Sequence, residues 1–258
     1  MKRGKYQKVI KRDQAILVII RNIKADHPLW GYRRIWASLK YDHEYHINQK
    51  RVYRIMKDNG LLVNKNNRLK ASRIPTKSKP RPNQPNQWWG IDMTKTMIGS
   101  QWVYIVICID WYTKQVVGYE AGIQSKSWHW LKAVHKAVNK QCPDGARKHN
   151  IHLMSDNGCQ PTSLSFMRDC HAMGIKQAFT SYNNPKGNAD TERFMRTMKE
   201  ELIWINEWQS TNKFIKDLEQ WIEYYNSKYR HSTLKYKTPN QFEHEYYQNK
   251  QNTTLLSA

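Results

Sequence analysis

The chain has 258 residues, 39% of them hydrophobic, enough for one large or two modest cores, and two fit best. Its 43 Lys and Arg against 21 Asp and Glu leave a formal charge of +22, which points to a polyanionic partner, with nucleic acid the leading candidate. No apolar run approaches the ~20 residues of a membrane span and no secretory signal is visible, which argues against a membrane-embedded or secreted protein.

In chain order, Asp13 is expected to cap a helix in which Ile16, Leu17, Ile20 and Ile23 recur at helical spacing, ending before His27-Pro28. GYRRIWASLK supplies a second helix with Ile35, Trp36 and Leu39 inward. Asn48 caps a third, QKRVYRIMKDN, stopped by Gly60. Val52, Ile55 and Met56 form its buried stripe, leaving Lys50, Arg51, Arg54 and Lys57 outside. Short helices, a tight turn and a basic third helix over residues 1–63 fit a helix-turn-helix-like module whose four cations contact DNA. A solvated basic face on a helical bundle is the competing reading. Residues 64–87, rich in Pro and Lys and poor in apolar residues, read as an extended linker able to track a phosphate backbone.

A second domain spans residues 88–247. QWWGIDMTKT, WVYIVICID and VVGYEAG read as three antiparallel strands, with Asp110 in the turn between the second and third. A helix from about Ser127 to Lys140, with Leu131, Val134, His135 and Val138 on one face, crosses over to the strand IHLMSD, which implies parallel pairing. A helix around SLSFMRDCHAMG, a short strand KQAFT and a loop SYNNPKGN lead to a helix carrying Glu192, with Met195, Met198, Leu202 and Ile205 as its buried stripe. Phe214, Leu218, Trp221, Ile222 and Tyr225 mark a further helix after a Thr211 cap, and residues 248–258 read as a disordered tail. Trp88 and Trp89 suit packing better than base stacking. The cysteines, Cys108, Cys142, Cys159 and Cys170, form no CxxC pair and read as reduced thiols of a cytosolic protein.

Three carboxylates stand out. Asp92 lies within a β-rich apolar run, Asp156 ends another, and Glu192 opens a helix on its inward face. Burying such groups is costly unless they are paired, hydrogen-bonded or bound to a cation, and phosphodiester chemistry uses carboxylates to hold two hard cations roughly 4 Å apart. Each has a plainer reading: Asp156 before Asn157-Gly158 as a strand-ending turn, Glu192 as a first-turn helix carboxylate. Asp92 is harder to explain so, because strand interiors are depleted in Asp. Arg193, Arg196 and Lys199 follow Glu192 at spacings of three and make a basic ridge suited to DNA, with Lys186 and Asn188 in the preceding loop as weaker candidates.

The set D…SDNG…GNADTER, with 35 residues between Asp156 and Glu192, resembles the DDE core of insertion-sequence transposases and retroviral integrases. The whole chain is most similar to the catalytic subunit, the second-reading-frame product, of the insertion-sequence-three family, and HPLWGYRRI resembles the motif that opens the region before that family's core. Retroviral integrases carry a His-His-Cys-Cys zinc module there. This chain has His27, His43 and His46 but no Cys before Cys108, so that part of the likeness fails. The resemblance implies an α/β fold, an RNase H-like core with a five-stranded mixed sheet preceded by a small all-α helix-turn-helix-like domain. It implies a transposase that uses Mg²⁺, two ions with Mn²⁺ as substitute, held by Asp92, Asp156 and Glu192, for 3′-end cleavage and strand transfer. Its partners would be DNA ends and target, further copies of itself on paired ends, and an upstream-frame protein of the same element. The expected setting is the bacterial cytoplasm, at the nucleoid. The alternatives are a catalytically silent DNA-binding regulator and an RNase H-like nuclease.

Overall fold

The computed structural model describes residues 7–63, 80–180 and 187–256. Most of the expected linker (64–79) and Lys186 fall outside them. The chain divides into two compact units: a helical one that also takes in Arg230–Lys237, and a larger one built on a sheet.

The helical unit contains α1 (Gln7–Asp26), α2 (Tyr32–Tyr41) and α3 (Gln49–Asp58). Their apolar stripes meet: Ile20, Ile35, Leu39, Val52 and Met56 are fully buried, each contributing roughly 1.5–3 kcal/mol of transfer free energy. Asn48 caps α3 by accepting from Lys50 N at 2.8 Å. Asp13 does not cap α1, because that helix begins at Gln7 and encloses it. Instead its carboxylate accepts from Arg51 Nε at 2.8 Å and Arg54 Nη2 at 2.7 Å, clamping α1 to α3. The strap Arg230–Lys237 belongs to this unit through Arg230, whose guanidinium donates twice to Asp42 Oδ1 at 3.0 and 2.6 Å and lies over the Tyr41 ring. Tyr236 meets Trp36 edge to face at 5.2 Å.

The larger unit has a five-stranded sheet in the order β3-β2-β1-β4-β5. β1 (Trp88–Ile98), β2 (Gln101–Asp110) and β3 (Val116–Gly122) form the antiparallel meander, and β4 (His152–Ser155) and β5 (Lys176–Phe179) extend it in parallel. One face is covered by α4 (Ser127–Gln141) and α5 (Leu164–Ala172): Trp89, Ile91, Val106 and Cys108 pack with Trp130, Val134 and Phe166 in one buried cluster. Gly90, between Trp89 and Ile91, faces the other way and meets α6 (Ala189–Met198). On α6, Phe194 packs edge to face on Tyr225 of α7 (Thr211–Ser227). The order begins earlier than Trp88. Asn86 is buried, donating its N–H to Asp110 and accepting from the Trp89 indole.

Several expectations shift locally. His135 is exposed, and Trp130, Ala133 and Ala137 join Leu131 and Val134 on the buried face of α4. A π-helical turn over Lys199–Ile203 follows α6 and ends the helix, so Ile203 is buried, while Ile205 lies in the turn beyond and is 48% exposed. Ser210, not Thr211, caps α7. Residues 248–256 of the expected tail are helical: α8 runs Pro239–Leu256, starting from a proline suited to a first helical turn and meeting no Gly or Pro that would stop it.

Candidate active site

Asp92 and Asp156 are brought together by strand register. β4 pairs with β1 as Trp88↔His152, Trp89↔Leu153 and Gly90↔Met154, an offset of 152 − 88 = 64 residues. Carried forward, the same offset sets Asp156 opposite Asp92, since 92 + 64 = 156. Asp156 follows the last residue of β4, and its Oδ1 accepts from Gly158 N at 3.1 Å. It therefore ends a strand in a turn and neighbours Asp92 at once. Asp92 is half-buried, with Oδ1 accepting from Met93 N at 2.8 Å.

Glu192 reaches this end of the sheet because the start of α6 lies flush on β1. A Cβ at Gly90 would stand 2.0 Å from Thr191 Oγ1, 2.3 Å from Trp111 Nε1 and 2.8 Å from Asn188 Oδ1. Only glycine admits so close an approach of strand and helix. Two bonds hold the contact: Asn188 Nδ2 donates to Ile91 O at 3.2 Å, and Trp111 Nε1 to Thr191 Oγ1 at 3.1 Å. Glu192, one residue beyond Thr191, is exposed rather than inward-facing.

Electrostatics record the convergence. Burial, and then the negative charges of Asp156 and Glu192, push the Asp92 carboxyl up to about 6, against the lowering effects of the Met93 N–H and the Lys199 ammonium. Burial also raises the Glu192 carboxyl. As they stand, no three His, Cys, Asp or Glu side chains among the described residues close around one metal position. The donor chemistry nevertheless suits a hard divalent cation: three carboxylates, one of them destabilised by the charge of the other two. Asp110 plays another part. It is buried, and its carboxylate accepts from the N–H groups of Asn86, Tyr112 and Thr113, anchoring the turn after β2.

The expected DNA contacts divide. Arg193 and Arg196 are exposed beside Glu192, with Arg196 also 3.2 Å from Glu200; Lys199 is half-buried and acts on Asp92. Asn188 is 4% exposed, and its amide donates to Ile91 O of β1, which braces the start of α6. Lys50, Arg54 and Lys57 are exposed on α3, whereas Arg51 is half-buried against Asp13. Gly90, Thr191 and Trp111 went unread in the sequence. The one available signal was a glycine inside a strand pattern.

A mixed sheet of this order, with one acidic residue within its first strand, another just past the end of its fourth and a third on a helix packed beside them, has the form of an RNase H-like polynucleotidyl transferase core. Residues 82–185 and 173–239 match the integrase core domain, and residues 11–68 match an HTH-like domain. The InsD transposase for insertion element IS2A/D/F/H/I/K of Escherichia coli is 25% identical over 240 residues, covering 89% of this chain and 78% of that protein. The InsD transposase for IS2-9 of Escherichia coli strain K12 matches at the same identity over 89% and 77%. Among solved structures, a chain of the simian T-cell lymphotropic virus intasome in complex with PP2A regulatory subunit B56 gamma shares the fold, with a TM-score of 0.55 at 16% identity over 81% of this chain and 74% of that one. The chain belongs to the DDE transposases of bacterial insertion elements, within the retroviral integrase superfamily. It is an insertion-sequence transposase, a DDE-type polynucleotidyl transferase.

Proposed function

We propose that this transposase frees the 3′-OH ends of its element and joins them to target DNA, with Asp92, Asp156 and Glu192 as ligands of two Mg²⁺ ions, for which Mn²⁺ substitutes. The observation that carries this reading is geometric: the β1–β4 register runs Asp156 toward Asp92, and the close contact of α6 with β1 at Gly90 brings the helix of Glu192 to the same place. When bound, the cations supply activation of the attacking oxygen and stabilisation of the leaving 3′ oxygen. The chain's own groups do the positioning. The Met93 N–H fixes the Asp92 carboxylate, the Gly158 N–H fixes Asp156, and the α6–β1 contact sets where Glu192 stands. Arg193, Arg196 and Lys199, on and just after the helix that carries Glu192, would hold the scissile phosphate backbone. Lys50, Arg51, Arg54 and Lys57 on α3 would hold element-end DNA. Paired ends require at least two copies, and an upstream-frame protein of the same element is a further partner. The setting is the bacterial nucleoid.

The test is to incubate the protein with labelled DNA carrying an end of its element, in Mg²⁺, Mn²⁺ or EDTA, beside Glu192→Gln. Nicking and joining that need the metal and vanish in Glu192→Gln, while binding persists, support the proposal. Binding without strand chemistry under every condition, with the upstream-frame protein added, makes the chain a regulator instead.

A further inference from the structure

Beyond the carboxylate site, the end of the β1–β2 hairpin and the start of α4 form one surface of exposed rings and lysines. Met97 pairs with Trp102 and Lys95 with Tyr104 across β1 and β2, and Tyr104 pairs in turn with Gly122 of β3. Gly122 has no side chain, and a Cβ there would stand 2.9 Å from His129 Nε2, so α4 sits close over this corner. His129 stacks on Trp128 at 3.7 Å. The strand register and the close approach of α4 therefore set Trp102 and Trp128 on the same corner of the sheet. Met97, Trp102, Ile123 and Trp128 are 47%, 42%, 51% and 41% exposed, a concentration of large apolar groups that a soluble surface normally avoids.

The charges around these rings are of one predominant sign. Lys95 lies 4.4 Å from the centroid of Trp102 and Lys132 4.6 Å from that of Trp128, while Lys126 is exposed between Ile123 and Trp128. The nearby carboxylate, Glu120, is met by Lys132 and Lys136 at 3.6 and 2.6 Å. Rings flanked by ammonium groups suit nucleic acid, whose bases stack on the one while its phosphates meet the other.

The loop between β3 and α4 also reaches the loop that follows Asp156: Ser125 donates to Met93 Sδ at 3.0 Å, on the opposite face of β1 from Asp92, and receives Gln160 Nε2 at 2.9 Å.

We propose that Trp102 and Trp128, with Lys95, Lys126 and Lys132, form a binding surface for a single DNA strand that leaves the carboxylate site, the rings stacking on its unpaired bases. A duplex hides its base faces, so a strand displaced or nicked during transposition is the fitting occupant.

The test uses the full chain and a labelled oligothymidine strand beside a mixed-sequence duplex. Trp102→Ala with Trp128→Ala should weaken oligothymidine binding by on the order of tenfold or more and duplex binding much less. Phe at both positions should restore most of the loss. Lys95→Gln with Lys132→Gln should flatten the dependence of log affinity on log salt by about 1.4, at roughly 0.7 for each phosphate contact with a single strand. In the unaltered protein, 5-bromouracil photo-crosslinks should map to peptides containing Trp102 or Trp128. Unchanged oligothymidine affinity in the alanine variant, or crosslinks confined to other peptides, would overturn the proposal. So would a variant that keeps its DNA affinity but loses a subunit in sedimentation, since the occupant would then be a second copy of the chain.

Discussion

The side-chain amide of Asn188 donates to the main-chain carbonyl of Ile91, 3.2 Å away, and so fastens the residue before α6 to the strand that carries Asp92. Replacing Asn188 by Ala leaves that bond unmade in a buried place, at a cost of about 1–3 kcal/mol in urea unfolding. The larger effect should fall on turnover, because a displacement near 1 Å at a catalytic group costs on the order of a hundredfold. DNA affinity, measured separately, should stay within about twofold of the original. A variant that loses affinity and keeps turnover would return Asn188 to the DNA-contact role.

Gly90→Ala tests the same junction from the strand side. The new methyl would lie 2.0 Å from Thr191 Oγ1 and 2.3 Å from Trp111 Nε1, so either α6 moves or the Trp111–Thr191 bond breaks. Overpacking of this kind costs about 1–3 kcal/mol. Activity should fall with it. A Gly90→Ala variant with the unfolding free energy and turnover of the original would mean that α6 does not press on β1 at Gly90.

In the helical unit, Asp13 holds Arg51 and Arg54 together. Asp13→Asn should lower thermal stability by about 1 kcal/mol, since the pair is partly exposed. It should also raise affinity for non-specific duplex at low salt, because a negative charge leaves a cationic helix. Lower affinity in Asp13→Asn, with its fold intact by circular dichroism, would show that the clamp presents the arginines to DNA and does not merely occupy them.

Asp110 predicts a pH effect on stability. Burial pushes its carboxyl up to about 6, against the three N–H groups that favour its charge. The folded value lies above the ordinary 3.8, so the folded state binds the proton more tightly. The stabilisation from this group is therefore complete below about pH 4 and lost as pH rises through 6. A shift of this size corresponds to an upper value of about 3 kcal/mol. Asp110→Asn cannot titrate, although its amide also presents a donor to the Asn86 N–H and costs stability at every pH. The unfolding free energy of the original minus that of Asp110→Asn should thus decrease between pH 4 and 6 and be flat above 7. A difference that stays level throughout would mean that Asp110 remains ionised in the fold.

What could be read from the sequence follows a physical divide. Ile16, Leu17, Ile20 and Ile23 reveal α1, the Asn48 cap and Gly60 bracket α3, and the apolar runs around Asp92 and Asp156 announce two strands of one sheet. All of these are local, because a helix or strand period shows within a few turns and a cap needs only its next neighbours. Asp92 was legible too, as an acidic residue inside an apolar strand, where burial demands an explanation; Asp156 and Glu192, both exposed, stood out only as members of a spaced set.

Only the tertiary structure decided what the polar side chains between those landmarks do. Asn188, in sequence only a loop residue before a helix, is buried because Gly90 lets α6 close on β1. Asp13 clamps two arginines of α3, and Arg230 joins a unit whose helices lie far earlier in the chain. Ile205 is exposed because the helix ends in a π-helical turn before it, short of the period that the residues themselves would have continued. An apolar residue needs only to be buried somewhere, so its pattern is visible in the sequence. A polar group needs one partner at one distance, and which partner arrives is settled only when distant elements pack.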